Sequence, residues 1–84
     1  MGQEQVFEKV VSILKPFAKS QEALAKVGME TNILGELKVN SARLVDVVLE
    51  IEDAFDIEVT DTEADKVSTV GDAVKLVLAK AKAA

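Results

Sequence analysis

Few side chains in this sequence could perform chemistry, because its 84 residues include no cysteine and no histidine. The chain therefore lacks the thiol and the imidazole that most often serve as nucleophile, general base or metal ligand. One serine, Ser41, follows Asn40 at the start of a strong helical pattern. A hydroxyl placed there can cap the helix or receive a covalently attached group. With no nucleophile and base to pair, the sequence predicts a protein that is not an enzyme.

Ser41 opens the clearest helical pattern in the chain, which continues to Phe55. The apolar residues that recur there at helical spacing are Leu44, Val48, Ile51 and Phe55. Residues at this spacing form one stripe of an α-helix, so we expect them to face a core. Asn40 precedes the pattern and is a candidate N-cap, because its side-chain oxygen can accept a hydrogen bond from a backbone N–H of the first turn.

The remaining surface of this predicted helix is mainly acidic. Its acids are Asp46, Glu50, Glu52 and Asp53. Val45 and Leu49, four residues apart, lie between the acids and the apolar stripe. These two residues form either the edge of the core or a small apolar contact for a partner. The acids are correspondingly either an ordinary solvated face or a docking surface for a basic partner.

The stretch Asn-Ser-Ala-Arg-Leu-Val-Asp-Val-Val-Leu-Glu-Ile-Glu-Asp-Ala-Phe resembles the second helix of acyl carrier proteins. The family pattern there is roughly Asp-Ser-Leu-Asp followed by an acidic and apolar helix. Upstream, Thr-Asn-Ile-Leu-Gly-Glu-Leu-Lys-Val-Asn-Ser resembles the family's Thr-x-Ser-Phe-x-x-Asp-Leu-Gly-Ala-Asp-Ser. Downstream, Ser-Thr-Val-Gly-Asp-Ala-Val nearly reproduces Thr-Thr-Val-Gly-Asp-Ala-Val. The resemblance covers residues 29–80 and extends to the first helix only by pattern.

This resemblance implies that Ser41 carries a covalent 4′-phosphopantetheine arm, attached by a phosphopantetheinyl transferase, whose thiol holds an acyl group as a thioester. It also implies acyl-group ligases, synthases or acyltransferases with basic docking surfaces as partners, in fatty-acid, lipid, lipopolysaccharide or secondary-metabolite biosynthesis. The residues that would contact them are Asn40, Ala42, Arg43, Val45, Asp46, Leu49, Glu52 and Asp53.

Three positions beside the serine depart from the family pattern. Asn40 stands for the usual Asp, Ala42 for Leu, and Arg43 for an acid. Asn40 keeps the cap but lacks a charge that helps a transferase hold Mg²⁺, and Arg43 reverses a charge at the docking site. These differences favour a specialised carrier with its own transferase or ligase. The alternative is a carrier-like domain that is never modified and acts as a protein docking module.

The predicted fold is all-α, a four-helix bundle of the acyl carrier type formed by one domain over residues 1–84. Three longer helices are expected at about 3–15, 41–55 and 69–82, with a short one at 61–66. The long loop 16–40 is expected to hold a short helical segment near 20–27. Thr60 or Asp61 can cap the short helix, while Thr69 and Asp72 form a near capping box for the last.

The net charge of −5 is unevenly distributed, because residues 36–65 contain ten acids and only two basic residues. This distribution excludes nucleic acid as a ligand and favours a basic protein surface. Asp61, Glu63, Asp65 and Asp72 have the spacing of EF-hand positions 1, 3, 5 and 12. Lys66 occupies the position that requires Gly, and position 12 lacks the bidentate Glu, so we reject an EF-hand and assign no metal ligands. Weak binding of divalent cations by the acidic surface is the alternative that the sequence leaves open. No apolar run is long enough to span a membrane, and we expect a cytoplasmic monomer.

Overall fold

The computed structural model describes the backbone of residues 2–82 and the side chains of residues 2–80. It contains five α-helices: α1 (Gln3–Leu14), α2 (Gln21–Ala25), α3 (Leu44–Phe55), α4 (Asp61–Asp65) and α5 (Val70–Lys82). A 3₁₀ turn, Ser41–Arg43, leads into α3. Within the described residues the only β pairing is a single bridge between Asn32 and Thr69. The predicted all-α fold with three longer helices is confirmed.

The core is almost entirely aliphatic. Helix α1 packs mainly against α5, and α3 contacts both of them. The fully buried large side chains come from these three helices and from the long loop; they are Val6, Val10, Leu14, Ile33, Leu37, Val47, Val70, Val74 and Val77. Each such side chain contributes about 1.5–3 kcal/mol when removed from water. The long loop is therefore a part of the core rather than a passive connection.

The buried face of α3 differs from the predicted stripe. Val47 and Ile51 are buried, whereas Leu44, Val48 and Phe55 are only half-buried. Val47 follows Leu44 by three residues and precedes Ile51 by four, so it lies between them on the same helix face. The buried stripe is therefore centred on Val47 and Ile51, and Leu44 and Phe55 pack against the edge of the core.

Helix α2 is shorter than the segment 20–27 expected from the sequence. Ser20 caps it, accepting a hydrogen bond of 3.2 Å from the backbone N–H of Ala23. The N–H of Lys26 donates to the carbonyl of Ala23 at 3.1 Å, a tight i to i−3 turn that ends the helix. At Gly28 the backbone N–H donates instead to the Thr31 hydroxyl at 2.8 Å. The chain has therefore left the helix before Gly28.

Reciprocal capping boxes begin the last two helices. The Thr60 hydroxyl accepts from the N–H of Glu63 at 3.2 Å, while the Thr60 N–H donates to the Glu63 carboxylate at 3.1 Å. Thr69 and Asp72 exchange the same two bonds, both of 3.1 Å. Thr60, and not Asp61, is the cap of α4. Two acids of the EF-hand spacing, Glu63 and Asp72, thus serve separate helix caps.

Hydrogen bonds lower the pKa values of both capping acids. The ammonium group of Lys80, 2.8 Å from Oε1 of Glu63, and the Thr60 N–H lower the pKa of Glu63. This ion pair also joins α4 to α5. The N–H groups of Ser68 and Thr69 donate to Oδ2 of Asp72 at 3.0 and 3.1 Å and lower its pKa. Both acids therefore stabilise the fold in their ionised form.

Backbone hydrogen bonds attach the long loop to the start of α5. The three bonds run from Ile33 N–H to Ser68, from Val70 N–H to Thr31 and from Gly71 N–H to Met29, at 2.9, 3.0 and 2.7 Å. The last contact requires glycine, because a Cβ at Gly71 would lie 2.6 Å from the Met29 carbonyl oxygen. Further along the loop, Lys19 and Ser20 donate to the Leu37 carbonyl at 3.0 and 3.2 Å.

Gly71→Ala is expected to lower the free energy of unfolding by about 1–3 kcal/mol, because the added methyl group forces the loop away from α5. Gly28→Ala is the matched control, since a Cβ there meets nothing within 4 Å. The control should stay within about 0.5 kcal/mol of the parent chain. Urea unfolding followed by circular dichroism measures both values. Equal effects of the two substitutions would contradict the tight contact at Gly71.

Asp72→Asn is expected to reduce the free energy of unfolding at pH 7, since it replaces the charged carboxylate that accepts hydrogen bonds from two backbone N–H groups. A carboxyl group with a lowered pKa stabilises the fold above its unfolded-state pKa and loses this effect as the pH falls through its folded-state pKa. The difference in unfolding free energy between Asp72→Asn and the parent should therefore shrink from pH 7 to about pH 3. Urea titrations at both pH values test this, and a constant difference would refute it.

Candidate functional site

Ser41 is exposed at the first position of the 3₁₀ turn that begins the α3 segment. The predicted N-cap at Asn40 is confirmed, because its side-chain oxygen accepts a hydrogen bond of 2.9 Å from the N–H of Ala42. The carbonyl of Asn40 also accepts from the N–H of Arg43 at 2.8 Å. Asn40 thus makes both the side-chain and the backbone bonds that start this segment.

The hydroxyl of Ser41 is not needed for helix capping, since Asn40 performs that function. Within the described residues the Ser41 side chain makes no hydrogen bond, and it faces solvent. Backbone N–H groups at a helix start and the helix dipole stabilise a nearby negative charge. The position therefore suits a hydroxyl that becomes a phosphodiester, because the new anion would lie at the positive end of the helix.

Lys38, three residues before Ser41, has a left-handed backbone conformation with φ of 56°. Its neighbours Leu37 and Val39 are both buried, while Lys38 itself is exposed. A non-glycine residue in this region carries a cost of roughly 1–2 kcal/mol. The lysine itself gives no sign of this turn, whereas the resembled family pattern has Gly at the corresponding position. Two buried anchors on either side hold the chain in this conformation.

An exposed apolar strip extends along α3 from the Ser41 end. Val45 and Leu49 are 65% and 56% exposed, which makes them the most exposed of the large hydrophobic side chains in the described chain. Residues four apart are neighbours on a helix surface, so the two side chains form one strip. Of the two interpretations of the sequence, the edge of the core is wrong for this pair. They are surface residues available for a partner.

Arg43 and Asp46 form an ion pair beside Ser41. Nη1 of Arg43 lies 3.1 Å from Oδ2 of Asp46, and the two side chains are 66% and 45% exposed. An exposed pair of this kind stabilises a protein by only about 0.2–1 kcal/mol. Neither side chain is therefore held strongly in place, and either can exchange its partner at small cost.

The acids at the far end of α3 have different environments. Glu50 and Asp53 are exposed, whereas Glu52 is half-buried and its Oε2 accepts a hydrogen bond of 3.3 Å from the N–H of Val59. Glu52 therefore also holds the segment after α3 in place. The sequence could not indicate this, because the bond joins residues seven positions apart. Leu49 and Ile57 form the apolar sides of a shallow open groove that these three acids also line.

A very small apolar cavity lies in the interior of the bundle. It has a volume of about 10 Å³, enough for no more than one water molecule. Side chains of α1, α3 and α5 line it, among them Leu14, Val48, Ile51, Ala73 and Leu76. An acyl chain could enter this space only if the helices moved apart.

Comparisons with known proteins agree with this geometry. Residues 8–77 match a family described as the phosphopantetheine attachment site. The chain is 38% identical over 80 residues to an acyl carrier protein of Prochlorococcus marinus (strain MIT 9515), covering 95% of this chain and 98% of that protein. It is 33% identical over 78 residues to one of Lactobacillus acidophilus (strain ATCC 700396 / NCK56 / N2 / NCFM), covering 92% and 94%.

A solved structure is similar over nearly the whole chain. It is that of the acyl carrier protein from Enterococcus faecalis, with a TM-score of 0.78 and 32% sequence identity. The match covers 95% of this chain and 99% of that one. The helical architecture that positions Ser41 is therefore shared with a known carrier.

Lys38→Gly is expected to raise the free energy of unfolding by about 0.5–1 kcal/mol, because glycine adopts a positive φ without strain but loses more entropy on folding. Lys38→Ala is the matched control. It also removes the charged side chain but keeps the Cβ, so it should not stabilise the protein. Thermal unfolding measures both variants. A Lys38→Ala variant as stable as Lys38→Gly would attribute the gain to the lost charge and contradict the backbone argument.

Proposed function

Since this chain belongs to the acyl carrier protein family, we propose that it carries an acyl or related group on a 4′-phosphopantetheine arm attached to Ser41. Members of this family are carriers and not catalysts, and 4′-phosphopantetheine is their prosthetic group. When attached, this group supplies the thiol that holds the cargo as a thioester. The protein then delivers the cargo to partner enzymes.

The observation that carries the assignment to Ser41 is that its hydroxyl is exposed and Asn40 provides the helix cap. Ser20, by contrast, uses its oxygen to cap α2. Ser12 lies within α1, and Ser68 lies two residues before the start of α5. Ser41 alone among the four combines exposure with the first position of a helical segment preceded by its own cap. This supports it as the residue that a transferase would modify.

In the proposed modification the Ser41 oxygen attacks the β-phosphorus of coenzyme A. A new oxygen–phosphorus bond forms, the bond to the bridging oxygen of the pyrophosphate breaks, and 3′,5′-adenosine diphosphate leaves. The serine proton passes to a base on the transferase, because the chain has no histidine and no cysteine to accept it. The helix start at Ser41 stabilises the phosphodiester that results.

We further propose that α3 and the residues before it form the docking surface. Its members are Asn40, Ala42, Arg43, Val45, Asp46, Leu49, Glu52 and Asp53. The exposed strip of Val45 and Leu49, flanked by acids, supports a partner with a mixed apolar and basic surface. Such partners include a phosphopantetheinyl transferase and the ligases, synthases or acyltransferases that load and unload the arm.

Asn40, Ala42 and Arg43 depart from the family pattern, and these departures favour a specialised carrier over one for general fatty-acid synthesis. Such a carrier would serve a dedicated pathway of fatty-acid, lipid, lipopolysaccharide or secondary-metabolite biosynthesis. We expect the carrier to act as a monomer in the cytoplasm. Among residues 2–82, no helix has the length and apolar character needed to cross a membrane.

Co-expression with a broad-specificity phosphopantetheinyl transferase should increase the intact mass by one 4′-phosphopantetheine group. Peptide mapping should place the added mass on Ser41. Ser41→Ala should abolish the gain, and Ser12→Ala, an exposed serine on α1, should leave it unchanged. If the co-expressed protein gains no mass, the protein is next isolated from its native host. Absence of the added mass there as well would refute the carrier function and support the unmodified docking module.

A further inference from the structure

The charge changes sign along α3 and the residues that precede it. At the Ser41 end lie two exposed basic residues, Lys38 and Arg43, with Asp46 paired to the latter. At the other end Glu50 and Asp53 are exposed acids. From Arg43 to these acids the helix rises by about 10–15 Å, at 1.5 Å per residue. The apolar pair Val45 and Leu49 lies between the two charged ends.

Arg43 can bind a carboxylate from outside the chain. Within the described residues its guanidinium makes one polar contact, the bond of 3.1 Å from Nη1 to Asp46. A guanidinium has five N–H donors in a planar fork that matches a carboxylate. Because the contact with Asp46 is exposed, it is weak and does not prevent a second carboxylate from binding.

The opposite end suits a basic side chain. The open groove there has apolar sides from Leu49 and Ile57 and is lined by Glu50 and Asp53. The aliphatic stem of a lysine or arginine can lie against the apolar sides while its charge meets the acids. Glu52 also lines the groove but is already hydrogen-bonded to Val59. Glu50 and Asp53 are more exposed than Glu52, so they are the acids best placed to meet an incoming cation, with Glu52 beside them.

We propose that this surface selects partner enzymes of mixed charge. The partner presents a carboxylate to Arg43, an apolar patch to Val45 and Leu49, and a lysine or arginine to the acidic groove. The inference rests on the proposed function, since the partner must bring its active site to Ser41. A reversed orientation would bring like charges together at both ends, so the pattern fixes how the partner docks.

The same pattern disfavours partners whose docking surface is basic throughout. In such a complex one lysine or arginine of the partner faces Arg43, and a contact between like charges is repulsive. Arg43 is thus a specificity-determining residue that does not take part in the chemistry. Its replacement by an acid should improve reaction with a uniformly basic partner and impair reaction with a mixed one.

The test compares two forms of one phosphopantetheinyl transferase. The enzyme is chosen for a known structure in which the carrier-facing surface has only Lys and Arg; its second form replaces the basic residue facing position 43 with Glu. The substrates are the parent chain, Arg43→Glu and, as matched control, Lys9→Glu, which makes the same charge change at an exposed position on α1. The measured quantity is kcat/KM for mass gain at Ser41.

With the uniformly basic form, Arg43→Glu should react about tenfold faster than the parent chain, as expected for the removal of one like-charge contact. With the charge-swapped form the order should reverse. Lys9→Glu should differ from the parent less than twofold with both forms. Circular dichroism of each variant checks that the fold is unchanged.

Equal rates for Arg43→Glu and the parent with both forms would overturn the inference while leaving the carrier function intact. An acceleration of the same size in Lys9→Glu would also overturn it, because net charge and not position 43 would then set the rate. If no substrate gains mass with either form, the proposed function fails and the inference fails with it.

Discussion

The position of Ser41 depends on the three backbone hydrogen bonds between the long loop and the start of α5. The first turn of a helix has N–H groups without partners inside the helix. Here Val70 and Gly71 donate theirs to loop carbonyls, while Asp72 donates to Thr69. The loop therefore completes the N-terminus of α5, and α5 in turn holds the loop. From this fixed point the chain buries Leu37 and Val39 and delivers Ser41 to the start of α3.

Residues before Ser41, and not Ser41 itself, hold the start of the α3 segment in place. Asn40 supplies the cap, Lys38 makes the turn, and the buried Leu37 and Val39 hold the segment against the core. Because these residues bear the local structure, a group on the Ser41 oxygen displaces no hydrogen bond. The proposed modification of the hydroxyl would therefore leave these hydrogen bonds in place.

Local signals made much of this structure predictable, whereas distant contacts did not. The caps at Asn40 and at Thr69 with Asp72 involve residues two or three positions apart, and the sequence indicates them directly. The choice of Val47 over Phe55 as a buried residue depends on where α1 and α5 lie, since both are apolar and have helical spacing. The path of the long loop depends on hydrogen bonds between backbone groups of residues 29–33 and 68–71, which most side chains at those positions would permit. Glu52 is similar, because its bond to Val59 forms only when the chain turns after α3.

The proposed docking through the single short helix α3 would have a further physical consequence. A contact limited to one helix face with two exposed apolar side chains would be small, and small interfaces, below roughly 1,200 Å², are typical of transient complexes. Such complexes dissociate rapidly, as a carrier that visits several enzymes requires. The size of the contact then contributes little to selectivity between partners, so the arrangement of charge must provide that selectivity. The covalent arm makes this compatible with transport, because the cargo stays with the carrier however briefly each enzyme binds. In the proposed function, weak docking and reliable delivery are thus separate properties: the surface of α3 would set the first, and the bond to Ser41 would set the second.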